Sequence, residues 1–417
     1  MTENRQRIEK YDVCVVGGGA AGMSAAIAAA RRGYKVCICD KNKKLCKKLY
    51  ATGNGRCNLA NADVSSGQYH SESIHKDDWL FRCLGAHPND TLFDFLHSIG
   101  IQEHLLNGYY YPKSMQASSV VWALLDEQKA LGISAYEDML ITEIRQQKDG
   151  FLVSGDSARI ACKRVVFSCG GRSYASLGGC DVGYKIADAL KLPVQKQRPA
   201  LCGCITKECP EALKGVRVAC TAYLELPGRE KKESDQVIQR GELQFTEYGL
   251  SGIMLFNLSS EIGRRLEQEK NVPVTIDFLQ DVEESAFLLR AEQSKHRTVY
   301  GFLNAYLPDK LSLYLLTQCK IERKAGMDTM SEAAVRKLYQ TCRAWVFHVS
   351  GLMDYESAQV TAGGIDLDAV NPDTMEVKLC PGLYAAGEIL DIDGNCGGYN
   401  LTFAILSGLR AGEHITC

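Results

Sequence analysis

A glycine-rich turn close to the N terminus carries the clearest chemical signal in this 417-residue chain. Its spacing is Gly17-x-Gly19-x-x-Gly22, and Asp40 follows 18 residues after the last glycine. Gly17 permits a tight turn, Gly19 lets backbone approach a pyrophosphate, and Gly22 lets the next helix lie against the preceding strand. The helix N terminus offers free N–H groups to phosphates, and the Asp40 carboxylate can accept hydrogen bonds from both ribose hydroxyls. The spacing therefore predicts a dinucleotide site that uses Gly17, Gly18, Gly19, Ala20, Ala21, Gly22, Asp40 and Lys41.

A second glycine–acid pair near the C terminus favours non-covalent FAD over NAD as the resident dinucleotide. The apolar run 383–386 ends at Gly387 and Glu388, where a carboxylate can hydrogen-bond the ribitol chain of a flavin. Asp40 would repel a 2′-phosphate, which disfavours NADP as the resident ligand. Because only one complete G-x-G-x-x-G occurs, we expect no separate nicotinamide-binding domain. NAD(P)H, if it is the electron donor, would then dock transiently at the flavin face.

The elements that must position these motifs form a βαβ unit near the N terminus. After Pro199 the sequence pattern changes from alternating short strands and helices to strand-like pieces separated by charged or glycine-containing turns. Apolar runs bounded by glycines and polar residues predict strands and alanine-rich or amphipathic helices. The predicted strands cover 11–16, 35–39, 138–143, 151–153, 164–168 and 382–386, and the predicted helices cover 23–32, 90–99, 118–131 and 401–412. Residues 200–280 contain strand-like pieces typical of a small β-barrel or sandwich, with 229–234 as a solvated hairpin tip, whereas 281–342 lack strand signals and are typical of helices.

Composition narrows the class of protein. Apolar residues make up 46% of the chain and charged residues 24%, and 48 Lys and Arg against 50 Asp and Glu leave a net charge of −2. This balance predicts no nucleic-acid partner and no anionic-membrane surface, since both need clustered positive charge. Four glycines interrupt the apolar segment 13–30, so it is not expected to span a membrane. The 18 cysteines include no C-x-x-C pair. In a chain of this length they indicate a cytoplasmic protein whose thiols are reduced. Such a high cysteine content is typical of proteins from oxygen-poor cells.

Four further segments carry a resemblance to a known family: 47–61 (with TGNGRCN at 52–58), 170–190, 241–252 and 360–408. Together with the N-terminal glycine turn, they resemble a bacterial FAD-dependent oxidoreductase family that includes 3-dehydro-bile-acid Δ4,6-reductase and aminoacetone oxidase. The resemblance implies an α/β fold, with a glutathione-reductase-like Rossmann FAD domain, an inserted β-barrel domain and a helical insert domain. The implied boundaries are 1–199 and 363–417 for the FAD domain, 200–280 and 343–362 for the barrel, and 281–342 for the helical insert.

The resemblance also implies further cofactor contacts. The loop at 52–58 would lie along the FAD, where Arg56 could stabilise negative charge on reduced flavin. Ile141 falls on a strand that passes beside the adenine in such folds, although packing in the core explains it nearly as well. The glycine-rich turn at 397–401 opens the last helix and could bond the flavin pyrimidine edge. The residues that these segments add to the site are Gly53, Gly55, Arg56, Ile141, Gly170, Gly387, Glu388, Gly398, Tyr399, Asn400 and Leu401.

Several other reactive side chains have plainer explanations. Cys57 has no histidine nearby in sequence to act as its base, which favours a structural thiol over a nucleophile. Asp391 and Asp393 lack a following bidentate Glu for Ca²⁺, so no metal site is predicted. His348 is expected on a barrel strand, with a position facing the flavin as the alternative. The C-x4-C pair of Cys204 and Cys209 lies too far from the glycine turn for a flavin-linked redox pair.

The leading prediction is a reductase of C=C bonds conjugated to the 3-oxo group of bile-acid (steroid) intermediates, by hydride transfer from flavin N5. Arg56 and Tyr399 are the candidate residues for polarising the carbonyl and supplying the proton. One alternative is an amine oxidase that acts on a small aminoketone with O₂, and another is a non-enzymatic flavin-binding sensor. No residue pattern in the middle of the chain identifies the substrate, and the sequence does not indicate an oligomeric state.

Overall fold

Strands and helices alternate at both ends of the chain, while longer antiparallel strands and a run of helices fill the middle. The structure is a computed structural model that describes residues 8–225 and 236–417, so the predicted hairpin tip at 229–234 lies outside the described residues. The strands are β1 (Ile8–Val16), β2 (Val36–Cys39), β3 (Ala60–Asn61), β4 (Tyr69–His70), β5 (Glu103–Leu106), β6 (Tyr109–Pro112), β7 (Ser134–Tyr136), β8 (Ile141–Gln147), β9 (Gly150–Gly155), β10 (Arg159–Phe167), β11 (Arg198–Ala200), β12 (Cys204–Ile205), β13 (Arg217–Glu225), β14 (Gln236–Phe245), β15 (Gly249–Ser251), β16 (Val272–Asp277), β17 (Trp345–Val349), β18 (Gly351–Leu352), β19 (Val360–Ala362), β20 (Leu383–Ala385) and β21 (Asp393–Gly394). The helices are α1 (Ala20–Arg31), α2 (Lys76–Leu84), α3 (Pro88–Ser98), α4 (Ala117–Ala130), α5 (Val182–Ala189), α6 (Ile253–Arg265), α7 (Glu284–Gln293), α8 (Val299–Leu303), α9 (Asp309–Gln318), α10 (Glu332–Arg343) and α11 (Tyr399–His414).

The chain divides into two units. The first joins residues up to Arg198 with Gln359–Cys417, and the second is Pro199–Ala358. Each unit has its own cluster of buried apolar side chains. The first unit is therefore made from both ends of the chain. The glycine-rich loops and short apolar strand after residue 363, which resemble the N-terminal pattern, predict this arrangement. The finer subdivision of the middle into a barrel and a helical insert stays a prediction.

A mainly parallel sheet forms the centre of the first unit. Its strand order is β7-β2-β1-β10-β9-β8, and β20 pairs with the end of β10 beyond the part that pairs with β9. The pairs β7–β2, β2–β1, β1–β10 and β10–β20 are parallel, whereas β8 and β9 extend the sheet antiparallel. The last four residues of β1 and all of β2 are buried, as expected for parallel strands covered on both faces. The predicted α/β class is confirmed.

Local backbone geometry moves some element boundaries away from their predicted positions. The strand predicted from residue 138 begins at Ile141, because Asp138 has a positive φ of 55°. The N–H groups of Asp138 and Met139 instead donate to the carbonyl oxygens of Asn42 and Asp40, at 2.9 Å each. The helix predicted from residue 23 begins three residues earlier, at Ala20. These residues therefore belong to the turns around the glycine motif.

The second unit contains a seven-stranded sheet in the order β17-β16-β13-β14-β15-β12-β18. Neighbouring described strands in this sheet all pair antiparallel, whereas a second dinucleotide-binding βαβ unit would need parallel neighbours. Four helices, α7 to α10, follow β16 within residues 281–343, and Pro308 is the N-cap residue of α9. In the two described stretches, no helix combines the length and apolar character needed to cross a membrane. All 18 cysteines are free thiols.

Candidate dinucleotide site

The turn between β1 and α1 is so tightly packed that two of its glycines are sterically required. A Cβ on Gly22 would stand 1.8 Å from the carbonyl oxygen of Gly17. Gly17 has φ +103°, and a Cβ there would stand 2.4 Å from the carbonyl oxygen of Ser168, the residue that directly follows β10. The N–H of Gly17 donates to the carbonyl oxygen of Cys39 at 2.8 Å, which ties the turn to the end of β2. The predicted turn geometry and helix–strand contact are thus both present.

Gly19 differs from its neighbours because open space surrounds it. No heavy atom lies within 4 Å of a Cβ built on this residue, and its φ of −81° does not itself demand glycine. Gly19 is the N-cap of α1, with no side-chain cap and no acidic residue in the first turn. The uncapped N–H groups and the positive end of the helix dipole are therefore available to an anion. This cradle, which a Cβ would fill, fits the pyrophosphate of a dinucleotide.

Asp40 follows β2 directly, and its carboxylate lies against the glycine turn. Oδ2 accepts from the N–H of Gly18 and Oδ1 from the N–H of Asn42, each at 2.7 Å. Each carboxylate oxygen retains capacity for a further hydrogen bond, so these contacts orient Asp40 without excluding a ribose. Lys41 points elsewhere: its Nζ donates to the carbonyl oxygen of Gly179 at 3.1 Å. Lys41 thus holds a neighbouring loop, and direct contact with the cofactor stays a prediction.

Glu388 brings the C-terminal half of the site to the N-terminal half. It follows β20, and its Oε2 accepts from Lys48 Nζ at 2.8 Å, while its Oε1 accepts from the N–H of Thr361 at 3.0 Å. Gly387 has φ +75°, and a Cβ there would stand 2.7 Å from Cβ of Ala21 on α1. Sequence reasoning missed Lys48 and Thr361, and the five lysines between residues 41 and 48 were the available signal for Lys48.

The loop at 52–58 has a strained backbone, as functional loops often do. Gly53, Asn54 and Gly55 have φ values of +54°, +54° and +82°, and Cys57 has φ +59°. Arg56 is exposed on this loop, next to the two exposed glycines. Cys57 is fully buried, and burial raises the pKa of its thiol to about 11. A neutral buried thiol is a poor nucleophile, which favours the structural interpretation of Cys57.

The start of α11 packs beside the end of that loop. Gly398 has φ +95°, and a Cβ there would stand 2.7 Å from backbone atoms of Ala60. Tyr399 is buried, and desolvation raises the pKa of its hydroxyl above the usual range. The amide of Asn400 is engaged with Gly394, donating to its carbonyl oxygen at 2.6 Å and accepting from its N–H at 2.8 Å. The side chain of Asn400 therefore supports the turn, and Leu401 is buried in the core.

The remaining predicted residues have different surroundings. The Ile141 side chain is packed in the core, and Met139 is the residue whose N–H reaches Asp40. Gly170 has φ +74°, and no heavy atom lies within 4 Å of a Cβ built on it; its contact with the cofactor stays a prediction. His348 lies on β17 in the other unit, with its Nδ1 2.7 Å from Glu208 Oε1.

The two acidic residues for which no metal site is predicted, Asp391 and Asp393, are buried in the first unit. Asp391 Oδ2 accepts from Ser71 Oγ at 2.9 Å and from the N–H of Glu72 at 2.8 Å. Burial raises the pKa of Asp391 to about 6. Asp391 and Asp393 are only 1% and 2% exposed. Asp391 thus joins the segment after β20 to the segment after β4.

Three cysteines that the sequence analysis did not single out form a compact thiol cluster on the neighbouring strands β1 and β2. The thiols of Cys14, Cys37 and Cys39 are buried, with all three sulfur atoms within 4.8 Å of one another. Hydrogen bonds from Cys14 and Cys37 lower the pKa of Cys39 to about 5. Residues 37 and 39 alternate on one strand and share a face, a pattern readable from the sequence.

Comparison with known proteins assigns the chain to a family, and the relatives it finds are named for two different reactions. The family described as HI0933-like protein Rossmann domain matches residues 11–414. A Clostridium scindens protein named 3-dehydro-bile acid delta(4,6)-reductase is 34% identical over 406 residues, covering 96% of this chain and 97% of the relative. An Escherichia coli protein named ribosomal RNA dihydrouridine synthase is 29% identical over 409 residues, covering 95% of this chain and 96% of the relative.

One solved structure supports the fold alone. The 3-ketosteroid delta1-dehydrogenase from Sterolibacterium denitrificans, in complex with 1,4-androstadiene-3,17-dione, has a TM-score of 0.50 at 12% identity, covering 97% of this chain and 99% of that protein. Neither of the two curated relatives is named for aminoacetone oxidation, so that part of the predicted family description stays a prediction. With the family match spanning nearly the whole chain and the glycine turn, Asp40 and Glu388 in place, the chain belongs to the HI0933-like family of FAD-binding Rossmann oxidoreductases.

Proposed function

We propose that this chain is an FAD-dependent reductase of carbon–carbon double bonds conjugated to a carbonyl, with 3-oxo-4-ene and 4,6-diene bile-acid intermediates as substrates. The observation that carries the proposal is the 34% identity, along 96% of the chain, to a protein named as a delta(4,6)-reductase of 3-dehydro-bile acids. The described geometry supports the cofactor half of the proposal, because open glycines, an uncapped helix and two carboxylates meet within one unit.

We assign the residues that hold FAD from their surroundings. The pyrophosphate takes the open space at Gly19, where the uncapped N terminus of α1 supplies N–H donors. Asp40 accepts ribose hydroxyls with the capacity left on its two oxygens. Glu388 binds the ribitol chain, and the glycines at 53, 55 and 170 let backbone approach the rest of the cofactor.

The bound flavin, once reduced by two electrons, would supply a hydride for the β-carbon of the conjugated double bond and would itself return to oxidised FAD. The chain must polarise the carbonyl and deliver a proton to the α-carbon. Arg56 is the proposed polarising group, because its guanidinium is exposed on the strained loop rather than packed in the core. Tyr399 is the proposed proton donor, because it carries a protonated hydroxyl at neutral pH and begins α11 at the glycine-rich turn predicted to bond the flavin.

A second candidate substrate, uracil in ribosomal RNA, follows from the 29% identical relative. The same chemistry applies, because the C5=C6 bond of uracil is conjugated to the C4 carbonyl. A local feature favours this candidate despite the overall charge of −2: residues 41–56 contain five lysines and Arg56 without one acidic residue. Lys43, Lys44 and Lys47 are exposed there, as a phosphate-binding surface requires. The expectation of no nucleic-acid partner stays a prediction, and the reaction of the reduced protein with ribosomal RNA tests it.

The test is an anaerobic stopped-flow comparison on the purified holoprotein. Photoreduced protein is mixed separately with a 3-oxo-Δ4 steroid, a 3-oxo-4,6-diene steroid and a uracil-containing ribosomal RNA fragment, and recovery of the oxidised flavin band is followed. Oxidised protein is mixed with aminoacetone as the oxidase arm. We expect rapid recovery with the steroids and no bleaching by the amine.

The other outcomes would indicate a different substrate or a different reaction. Recovery with RNA alone would replace the steroid with the uracil substrate, and bleaching by aminoacetone alone would identify an amine oxidase. A holoprotein that responds in no arm would contradict the proposed reductase, and a protein that carries no acid-releasable FAD would overturn the cofactor assignment as well.

A further inference from the structure

Lys48 and Glu388 form an ion pair that joins residues 340 positions apart in the chain. The ammonium and carboxylate are 2.8 Å apart, and their side chains are 33% and 20% exposed. Both side chains are partly buried, so solvent and salt screen their charges less than they screen those of a fully exposed surface pair. Nothing in the sequence predicts this pairing.

Both partners are held in place by the walls of the dinucleotide site. The N–H of Cys46 donates to the carbonyl oxygen of Gly18 at 2.8 Å, which fastens the backbone just before Lys48 to the glycine turn. On the other side, a Cβ on Gly171 would stand 2.7 Å from Oε1 of Glu388. The carboxylate thus packs against a backbone that leaves room for it and for no larger residue at position 171.

We propose that the Lys48–Glu388 pair sets the reduction potential of the bound flavin, with Lys48 as a positioning residue that acts beside and through Glu388. The proposal rests on the proposed FAD site, in which Glu388 binds the ribitol chain. Lys48 places a positive charge 2.8 Å from the carboxylate that would hold that chain. Reduction adds negative charge to the flavin, so a nearby cation favours the reduced form and a nearby anion opposes it.

Removing either charge alone should shift the midpoint potential of the flavin, and the two shifts should have opposite signs. Lys48→Gln leaves the Glu388 carboxylate uncompensated, and the midpoint potential falls. Glu388→Gln leaves the Lys48 ammonium uncompensated, and the midpoint potential rises. Lys48→Arg keeps the charge and stays near the wild-type potential, and the double variant Lys48→Gln/Glu388→Gln returns towards it. A purely structural pair would weaken FAD affinity in both single variants without shifting the potential in opposite directions.

The experiment measures midpoint potentials of the full-length holoproteins by anaerobic dye equilibration, with FAD in excess so that weaker binding leaves the site filled. Arg31→Gln is the matched control, because it breaks the Arg31–Glu127 pair, also 2.8 Å long and with similar exposures of 35% and 23%. Arg31 ends α1, whose other end carries the glycine turn, so this variant should keep the wild-type potential.

Opposite shifts in the two single variants, with Arg31→Gln unchanged, support the proposal. Unshifted potentials, or shifts of the same sign, in proteins that still bind FAD and reduce the substrate would overturn the inference and leave the proposed function standing. A wild-type protein that binds no FAD under these conditions would overturn both.

Discussion

Gly408 of α11 lies against the carbonyl oxygen of Ala21 in α1, and a Cβ at position 408 would stand only 2.2 Å from that oxygen. One turn later the contact repeats, because a Cβ on Gly412 would stand 2.3 Å from the carbonyl oxygen of Ala25. The last helix of the chain therefore packs backbone to backbone against the first. This contact holds the C-terminal part of the site, including Gly387 beside Ala21, against the glycine turn.

Substituting Gly408→Ala should destabilise the first unit, because the added methyl group must push two buried helices apart. Overpacking of this kind typically costs about 1–3 kcal/mol of unfolding free energy. We expect a lower melting temperature and a smaller amount of FAD bound after purification. Gly67→Ala is the control, since no heavy atom lies within 4 Å of a Cβ there. Equal melting temperatures for the two variants would contradict the backbone contact.

Gly19→Ala and Gly22→Ala should separate cofactor binding from folding. A methyl group at position 22 meets the Gly17 carbonyl at 1.8 Å, whereas one at position 19 meets no protein atom. We expect Gly22→Ala to lower the melting temperature of the apoprotein, and Gly19→Ala to leave it unchanged while weakening FAD binding at least about tenfold, or about 1.4 kcal/mol. Calorimetry and flavin fluorescence titration measure the two effects. Wild-type FAD affinity in Gly19→Ala would show that the pyrophosphate lies elsewhere.

The buried Asp391 should make stability fall as the pH rises between about 4 and 6. Its ordinary pKa of 3.8 is raised to about 6 in the folded state, so in that window the native protein binds more protons than the unfolded chain. The contribution is on the order of 2–3 kcal/mol at full ionisation. Asp391→Asn still accepts from Ser71 and Glu72.

Denaturant unfolding of Asp391→Asn across this pH range should therefore show a smaller decline than the wild type, with the variant more stable at pH 7. Asp94→Asn, which changes an exposed carboxyl on α3, serves as the control. Parallel pH profiles for wild type and Asp391→Asn would contradict the raised pKa.

Thiol labelling should distinguish burial from acidity. Cys417 is the exposed cysteine among the 18, whereas the low pKa of Cys39 is combined with nearly complete burial. We expect a disulfide-exchange reagent to react rapidly with one thiol in the native protein, and Cys417→Ser to remove that phase. All 18 thiols should react after unfolding. A rapid phase that persists in Cys417→Ser and disappears in Cys39→Ser would show that the thiol cluster opens to solvent.

The glycine turn, its flanking strands and the alanine-rich helix could be predicted from sequence because their causes are local. Gly17, Gly19 and Gly22 act within six residues, and the apolar runs beside them have the periodicity of buried strands and a packed helix. The same reasoning located Glu388 as the acid after β20. It placed the start of β8 too early. Asp138 has a positive φ, and its N–H donates to Asn42, which is distant in sequence.

Contacts between distant residues were decided only by the tertiary structure. The pairing of Lys48 with Glu388, the packing of Gly408 on Ala21 and the burial of Asp391 each join segments hundreds of residues apart. A sequence pattern states which side chains an element carries, but electrostatic and steric energies depend on the distances between them. Those distances follow from how the two ends of the chain build one sheet, which the sequence pattern alone leaves open.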